Sequence, residues 1–124
     1  MSQGEDWLAL HMSAEGINAL AEYRFAAEAC GGTGKGLRAR LEAAGLRDWR
    51  ADFAILDSRL LVECEGGGWA GGRHVRGAGF EGDLQKYDAA MRLGFTVYRC
   101  SPAMVKSGRA IQTIKLLVEL QKNP

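Results

Sequence analysis

The chain is poor in the features that announce special classes of protein. It has two prolines and three cysteines in 124 residues, too few for a Pro-rich linker or a disulfide framework, and its odd, widely spaced Cys30, Cys64 and Cys100 read as free thiols in a reducing compartment. A formal net charge of +1 provides no global basic field. No apolar run is long enough to span a bilayer, and Gly4, Glu5 and Asp6 stand where a basic-then-apolar leader would begin. The expectation is a cytoplasmic protein with no membrane partner. With 47% hydrophobic and 25% charged residues, no repeat and no low-complexity tract, residues 1–124 read as one globular domain able to bury a core.

What is present concentrates in RADFAILDSRLLVECEGGGW. Two alternating runs meet at Asp57 and Ser58, a hairpin register that pairs Leu56 with Arg59 and therefore sets Asp52 across from Glu63. Glu65 follows on the same face, two residues on. Phe53, Ile55, Leu60, Val62 and Cys64 form the opposite, apolar face, while Ala54, Leu56 and Leu61 fill the carboxylate face. Carboxylates brought within about 5 Å of one another repel unless a proton or cation intervenes. An all-oxygen donor set suits a hard cation, magnesium or manganese rather than zinc. The alternative reading is a solvated strand end neutralised by arginines.

Elsewhere the pattern is mixed. Residues 5–14 have helical spacing. Residues 20–27 alternate Tyr23, Phe25 and Ala27 against Glu22, Arg24 and Ala26, and read as a strand. CGGTGKG at 30–36 resembles a phosphate loop but lacks the first Gly, where Ala29 stands, and the Ser or Thr after Lys35. A helix closed by Gly45 follows, giving a helical insert at about 34–46. Residues 80–93 form a helix with Phe80, Leu84, Tyr87, Ala90 and Met91 on one side, ended by Gly94. Residues 95–100 read as a strand and 110–120 as a last amphipathic helix. The sum is a mixed α/β fold, a central sheet flanked by helices. Basic residues cluster locally: five against two acids between Lys35 and Arg50, including Arg38, and Arg73, His74 and Arg76 in the glycine-rich loop after Glu65.

The hairpin resembles the core of the PD-(D/E)XK nuclease superfamily, with Asp52 at the first Asp, Glu63 at the first residue of the acid-x-Lys motif, and Glu65 where that pattern has Lys. From Arg50 to Gly108 the order of elements is similar to phage and bacterial proteins of the DUF559 group and the very-short-patch-repair endonucleases: an acid and glycine (Glu65, Gly66), a loop His (His74), a helix with charged residues from Asp83 to Asp88, and the strand from Gly94 to Arg99. The resemblance implies a restriction-endonuclease-like core and a magnesium- or manganese-dependent endonuclease hydrolysing DNA phosphodiesters in bacterial or phage-infected cells. In that reading Asp52, Glu63 and Glu65, with the Cys64 carbonyl, hold the metal. Lys86 substitutes for the motif lysine and His74 is a general base or phosphate contact. Glu81 and Gln85 are candidates for supporting contacts, and Glu5 or Glu22 for an extra acid. Trp69, Arg73, His74, Arg76, Lys35 and Arg38 are the nucleic-acid contacts, and cutting both strands of a duplex favours a homodimer. A nuclease fold that binds nucleic acid without cleaving it is the rival, supported by Glu65 in the lysine position.

Overall fold

The computed structural model describes residues 2–66 and 78–122; Trp69, Arg73, His74 and Arg76 lie outside them. Helix α1 (Gln3–Ala14) starts at a capping box in which Ser2 Oγ accepts from Glu5 N–H and the Glu5 carboxylate returns to Ser2. The chain then forms β1 (Leu20–Tyr23), α2 (Phe25–Ala29), α3 (Leu37–Ala44), β2 (Ala51–Ile55), β3 (Leu60–Cys64), α4 (Ala78–Arg92), β4 (Thr96–Cys100), α5 (Pro102–Lys106) and α6 (Arg109–Lys122).

The strands make one mixed sheet in the order β1-β2-β3-β4, with β1, β2 and β3 antiparallel and β3 and β4 parallel. The β2–β3 ladder pairs Phe53 with Val62, Ala54 with Leu61 and Ile55 with Leu60, the register the alternation predicts. The connection is a 3-10 turn over Leu56–Ser58 followed by Arg59 at φ 50°, so it holds two more residues than the tight Asp57–Ser58 corner. Cores lie on both faces. Phe53, Ile55, Leu60, Val62, Cys64 and Cys100 pack with Leu8, Met12, Val105, Ala110 and Ile114. Ala51, Ala54 and Leu61 pack with Phe25, Leu41, Ala90 and Phe95.

Three expectations are corrected. The strand over residues 20–27 stops at Tyr23, and Phe25–Ala29 is a helix that buries Phe25, Ala26 and Ala27; tertiary burial overrides the local alternation. Between the strand ending at residue 100 and the last helix the sequence predicts no element, yet Ser101 and Pro102 begin α5, Ser101 Oγ accepting from Met104 N–H with Pro102 in the first turn. On α4 the predicted stripe is split: Ala90 is buried beside Ala89 and Tyr87 is half-buried, while Phe80, Leu84 and Met91 are 52%, 47% and 57% exposed. Among the described residues no helix is long and apolar enough to cross a membrane.

Candidate functional site

The antiparallel register brings Asp52 and Glu63 together at one end of the β2–β3 ladder, and their side chains clasp the opposite backbones. Asp52 N–H donates to Glu63 Oε2 at 2.9 Å, and Cys64 N–H donates to Asp52 Oδ2 at 2.8 Å. Each carboxylate thus fixes the strand that carries the other. Glu63 is 6% exposed, and a buried carboxylate requires a partner. That partner is Lys86, whose Nζ forms an ion pair with Glu63 Oε1, while Tyr87 Oη donates to the same oxygen at 3.4 Å. Burial, with Glu63 and Glu65 nearby, pushes the Tyr87 phenol upward, so it stays a neutral donor.

The helix carrying Lys86 runs back across the sheet between β3 and β4 in sequence, which delivers a lysine 23 residues downstream to Glu63. Gln85, one position earlier, is turned about 100° away; it donates to Glu81 Oε2 at 3.2 Å and lines a groove with Trp49, Ala89 and Leu93 between α3 and α4. Glu65, just past β3, is taken by Arg99, which donates to it through Nε at 2.5 Å and Nη2 at 2.7 Å. The Arg99 guanidinium also lies 4.4 Å from the centre of the Tyr87 ring. Glu65 is therefore engaged in a bidentate pair beside the Asp52–Glu63–Lys86 group.

Asp52 meets two further acids. Oxygen atoms of Glu5, Glu22 and Asp52 all lie within 4.8 Å of one another, a cluster able to hold a metal ion. Glu5 comes from the first turn of α1. Glu22, at φ 52°, falls between the Ala21–Phe53 and Tyr23–Ala51 pairs, opposite Asp52. Burial is the main reason the Asp52 carboxyl rises to about 6, with the Glu63 and Glu5 charges adding to it, while the Cys64 N–H and Lys86 oppose the rise. A carboxyl so crowded by acids has the chemistry of a cation site: a hard divalent ion would relieve the repulsion, and all the side-chain donors are oxygens.

The Cys64 thiol belongs to the opposite face, in the core with Cys100, and only its backbone N–H reaches the carboxylates. Lys35 and Arg38 are exposed on the α3 layer, Arg38 beside Arg47 and Asp48. Arg99 and Tyr87 are site residues that the sequence reading passes over. Arg99 is the Cα partner of Glu63 in the parallel ladder, so the signal would have been parallel pairing of the 60–64 and 96–100 runs. Comparison of the chain with family models, with curated proteins and with solved structures finds no match.

Proposed function

We propose that the chain is a magnesium- or manganese-dependent endonuclease with a restriction-endonuclease-like core of the PD-(D/E)XK type, hydrolysing DNA phosphodiester bonds. The observation that carries this reading is the convergence of Asp52, Glu63 and Lys86 from two antiparallel strands and the following helix. Asp52 is the shared ligand, its Oδ2 held by the N–H of Cys64 beside Glu63 and its carboxylate grouped with those of Glu5 and Glu22. A divalent ion, when bound, supplies positive charge for a phosphate under attack and lowers the pKa of a coordinated water.

The chain's own residues do the rest. Asp52 and Glu63 present their oxygens in an orientation locked by the reciprocal backbone bonds. Lys86 neutralises Glu63 and places an ammonium where it stabilises the added negative charge of a pentacovalent phosphate. Tyr87 and Arg99 restrain Glu63 and Glu65 by hydrogen bonds. Lys35 and Arg38, with Trp69, Arg73, His74 and Arg76 of the glycine-rich loop, are proposed to carry the substrate's phosphates and bases, His74 also standing as candidate base.

The test is nicking of supercoiled plasmid in magnesium or manganese. Asp52→Ala, Glu63→Ala and Lys86→Met should each lower the rate by at least about a hundredfold, with circular dichroism establishing that the variants are folded. A second reading, a nuclease fold that binds nucleic acid without cleaving it, is favoured by one feature: Glu65 stands in the motif's lysine position and is tied to Arg99. Tight plasmid binding with no nicking in either metal would decide for it.

A further inference from the structure

β4 closes one side of the sheet, and among the described residues no strand pairs with its outer edge. Thr96 N–H donates inward to the Arg59 carbonyl, and the Cys100 carbonyl accepts inward from Glu65 N–H. By the two-residue alternation of a strand, Val97 and Arg99 therefore turn their N–H and C=O groups outward. These are the groups needed for an antiparallel match of β4 with itself. Centred on Tyr98, that match makes Val97 opposite Arg99 of a second copy, twice, each pair exchanging two hydrogen bonds, with Tyr98 facing Tyr98 at the close non-bonded position between them.

Three further features suit a copy of the same chain. First, the helices on both faces of the sheet carry exposed apolar residues. On α4, Tyr87 reaches Arg99 of β4 while Gln85, Ala89 and Arg92 face the groove toward α3, so the exposed stripe of Phe80, Leu84 and Met91 lies on the β4 side. On α6, Ala110 and Ile114 are buried, Lys115 pairs with Glu15 at the end of α1 and Gln121 reaches Thr96 of β4, and Leu116 and Leu120, 58% and 57% exposed, stand on the side away from the core. These are two separate strips, three side chains on one face of the sheet and two on the other, each side chain exposing on the order of 100 Å². Second, Tyr98, at the centre of the match, is half-buried, and the twofold sets an identical aromatic side chain opposite. Third, Arg99 is already neutralised by Glu65, so self-pairing does not bring two bare cations together.

We propose that β4 is a dimerisation edge: two copies join β4 to β4 antiparallel about a twofold at Tyr98, giving a continuous eight-stranded sheet with α4 against α4 and α6 against α6. The inference stands on backbone geometry and exposed apolar faces, independent of the nuclease reading. Its consequence for that reading is that both Asp52–Glu63 sites fall on the same face of the joined sheet, the two Glu63 positions roughly 16 Å apart and the two Asp52 positions roughly 25 Å apart from strand spacing and rise.

Sedimentation equilibrium on the full chain at tens of micromolar should give twice the 13.4 kDa chain mass. Hydrogen exchange should show the Val97 and Arg99 amides becoming protected as concentration rises. Leu116→Lys with Leu120→Lys, on an exposed face that leaves the core intact, should weaken the dimer by at least about thirtyfold with an unchanged circular dichroism spectrum. A chain that stays monomeric at hundreds of micromolar overturns the proposal. So does a dimer whose Val97 and Arg99 amides exchange as fast as in dilute solution, or one indifferent to the double substitution.

Discussion

Gly4 shows how tightly a single position ties the N-terminal helix to the site. It sits in the first turn of α1, where alanine is ordinarily the better helix former by up to about 1 kcal/mol. A Cβ there would stand 2.9 Å from Cys64 Sγ and 3.3 Å from Pro102 Cβ. The neighbours are a buried strand residue and a proline ring, neither free to move aside, and overpacking of this kind costs about 1–3 kcal/mol. Packing wins over propensity. Gly4→Ala should lower unfolding free energy by about 1–2 kcal/mol in urea titration, and Cys64→Ala in the same chain should recover most of it, a coupling readable from a double-mutant cycle. Independent, additive losses would show that the two positions do not touch. The same scale marks where sequence reading stops: Asp52 opposite Glu63 follows from alternation and turn length alone, but the partner of Glu65 does not, because Arg99 lies 34 residues away on a parallel strand.

Among the elements, α3 and its glycine-rich approach were legible as a helix closed by Gly45, which adopts φ 72°. What organises the approach was not. Gly31, Gly32, Gly34 and Gly36 all have positive φ, and the turns they build leave carbonyls pointing inward. Arg40 collects three of them, donating through Nε to Cys30 at 2.6 Å, through Nη2 to Gly32 at 2.6 Å and through Nη1 to Lys35 at 2.7 Å. In sequence Arg40 is one of five basic residues between Lys35 and Arg50; in the fold its guanidinium is spent on the loop. Arg40→Ala should destabilise the chain by about 1–3 kcal/mol and speed amide exchange over residues 30–36. Arg40→Lys should rescue little, since an ammonium cannot span three carbonyls as a planar fork does. Full rescue by lysine would mean that charge alone holds the loop. α4 teaches the converse lesson. Its periodicity marks a helix, yet of the apolar stripe only Ala90 is buried and Tyr87 half-buried, while Phe80, Leu84 and Met91 are exposed and Ala89 and Lys86 complete the packed side. Moment-like patterns locate a helix; they do not say which apolar surface faces the sheet when a second one is also present.

For the molecule as a whole, the alternation of β2 and β3 exposes the central ladder in the sequence, and α4, β4 and α6 follow from spacing while the short α5 between the last two does not. The approach of α1 and β1 to that ladder depends on tertiary packing, which is why Glu5 and Glu22 were isolated candidates in the sequence and become neighbours of Asp52 only in the fold. That assembly has a thermodynamic signature. Asp52 has a folded-state pKa of about 6 against 3.8 for the free carboxyl, so the native state binds the proton more tightly than the unfolded chain. The associated stability is fully present below about 3.8 and is lost as pH rises through about 6. A two-unit shift corresponds to at most about 3 kcal/mol, and partial exposure reduces the expected loss to about 1–2 kcal/mol. Asp52→Asn keeps an oxygen for the Cys64 N–H but carries no charge, so in chelator it should be more stable than the unsubstituted chain at pH 8 by that amount and indistinguishable from it below pH 4. Millimolar magnesium or manganese should reverse the order at pH 8, because only the carboxylate gains the free energy of a bound cation. Thermal unfolding at the two pH values, with and without metal, reads all four terms. A substitution that is neutral at pH 8 in chelator would show that Asp52 is not strained by its neighbours, whereas a gain in chelator without the metal-dependent reversal would leave a crowded acid cluster that binds no ion.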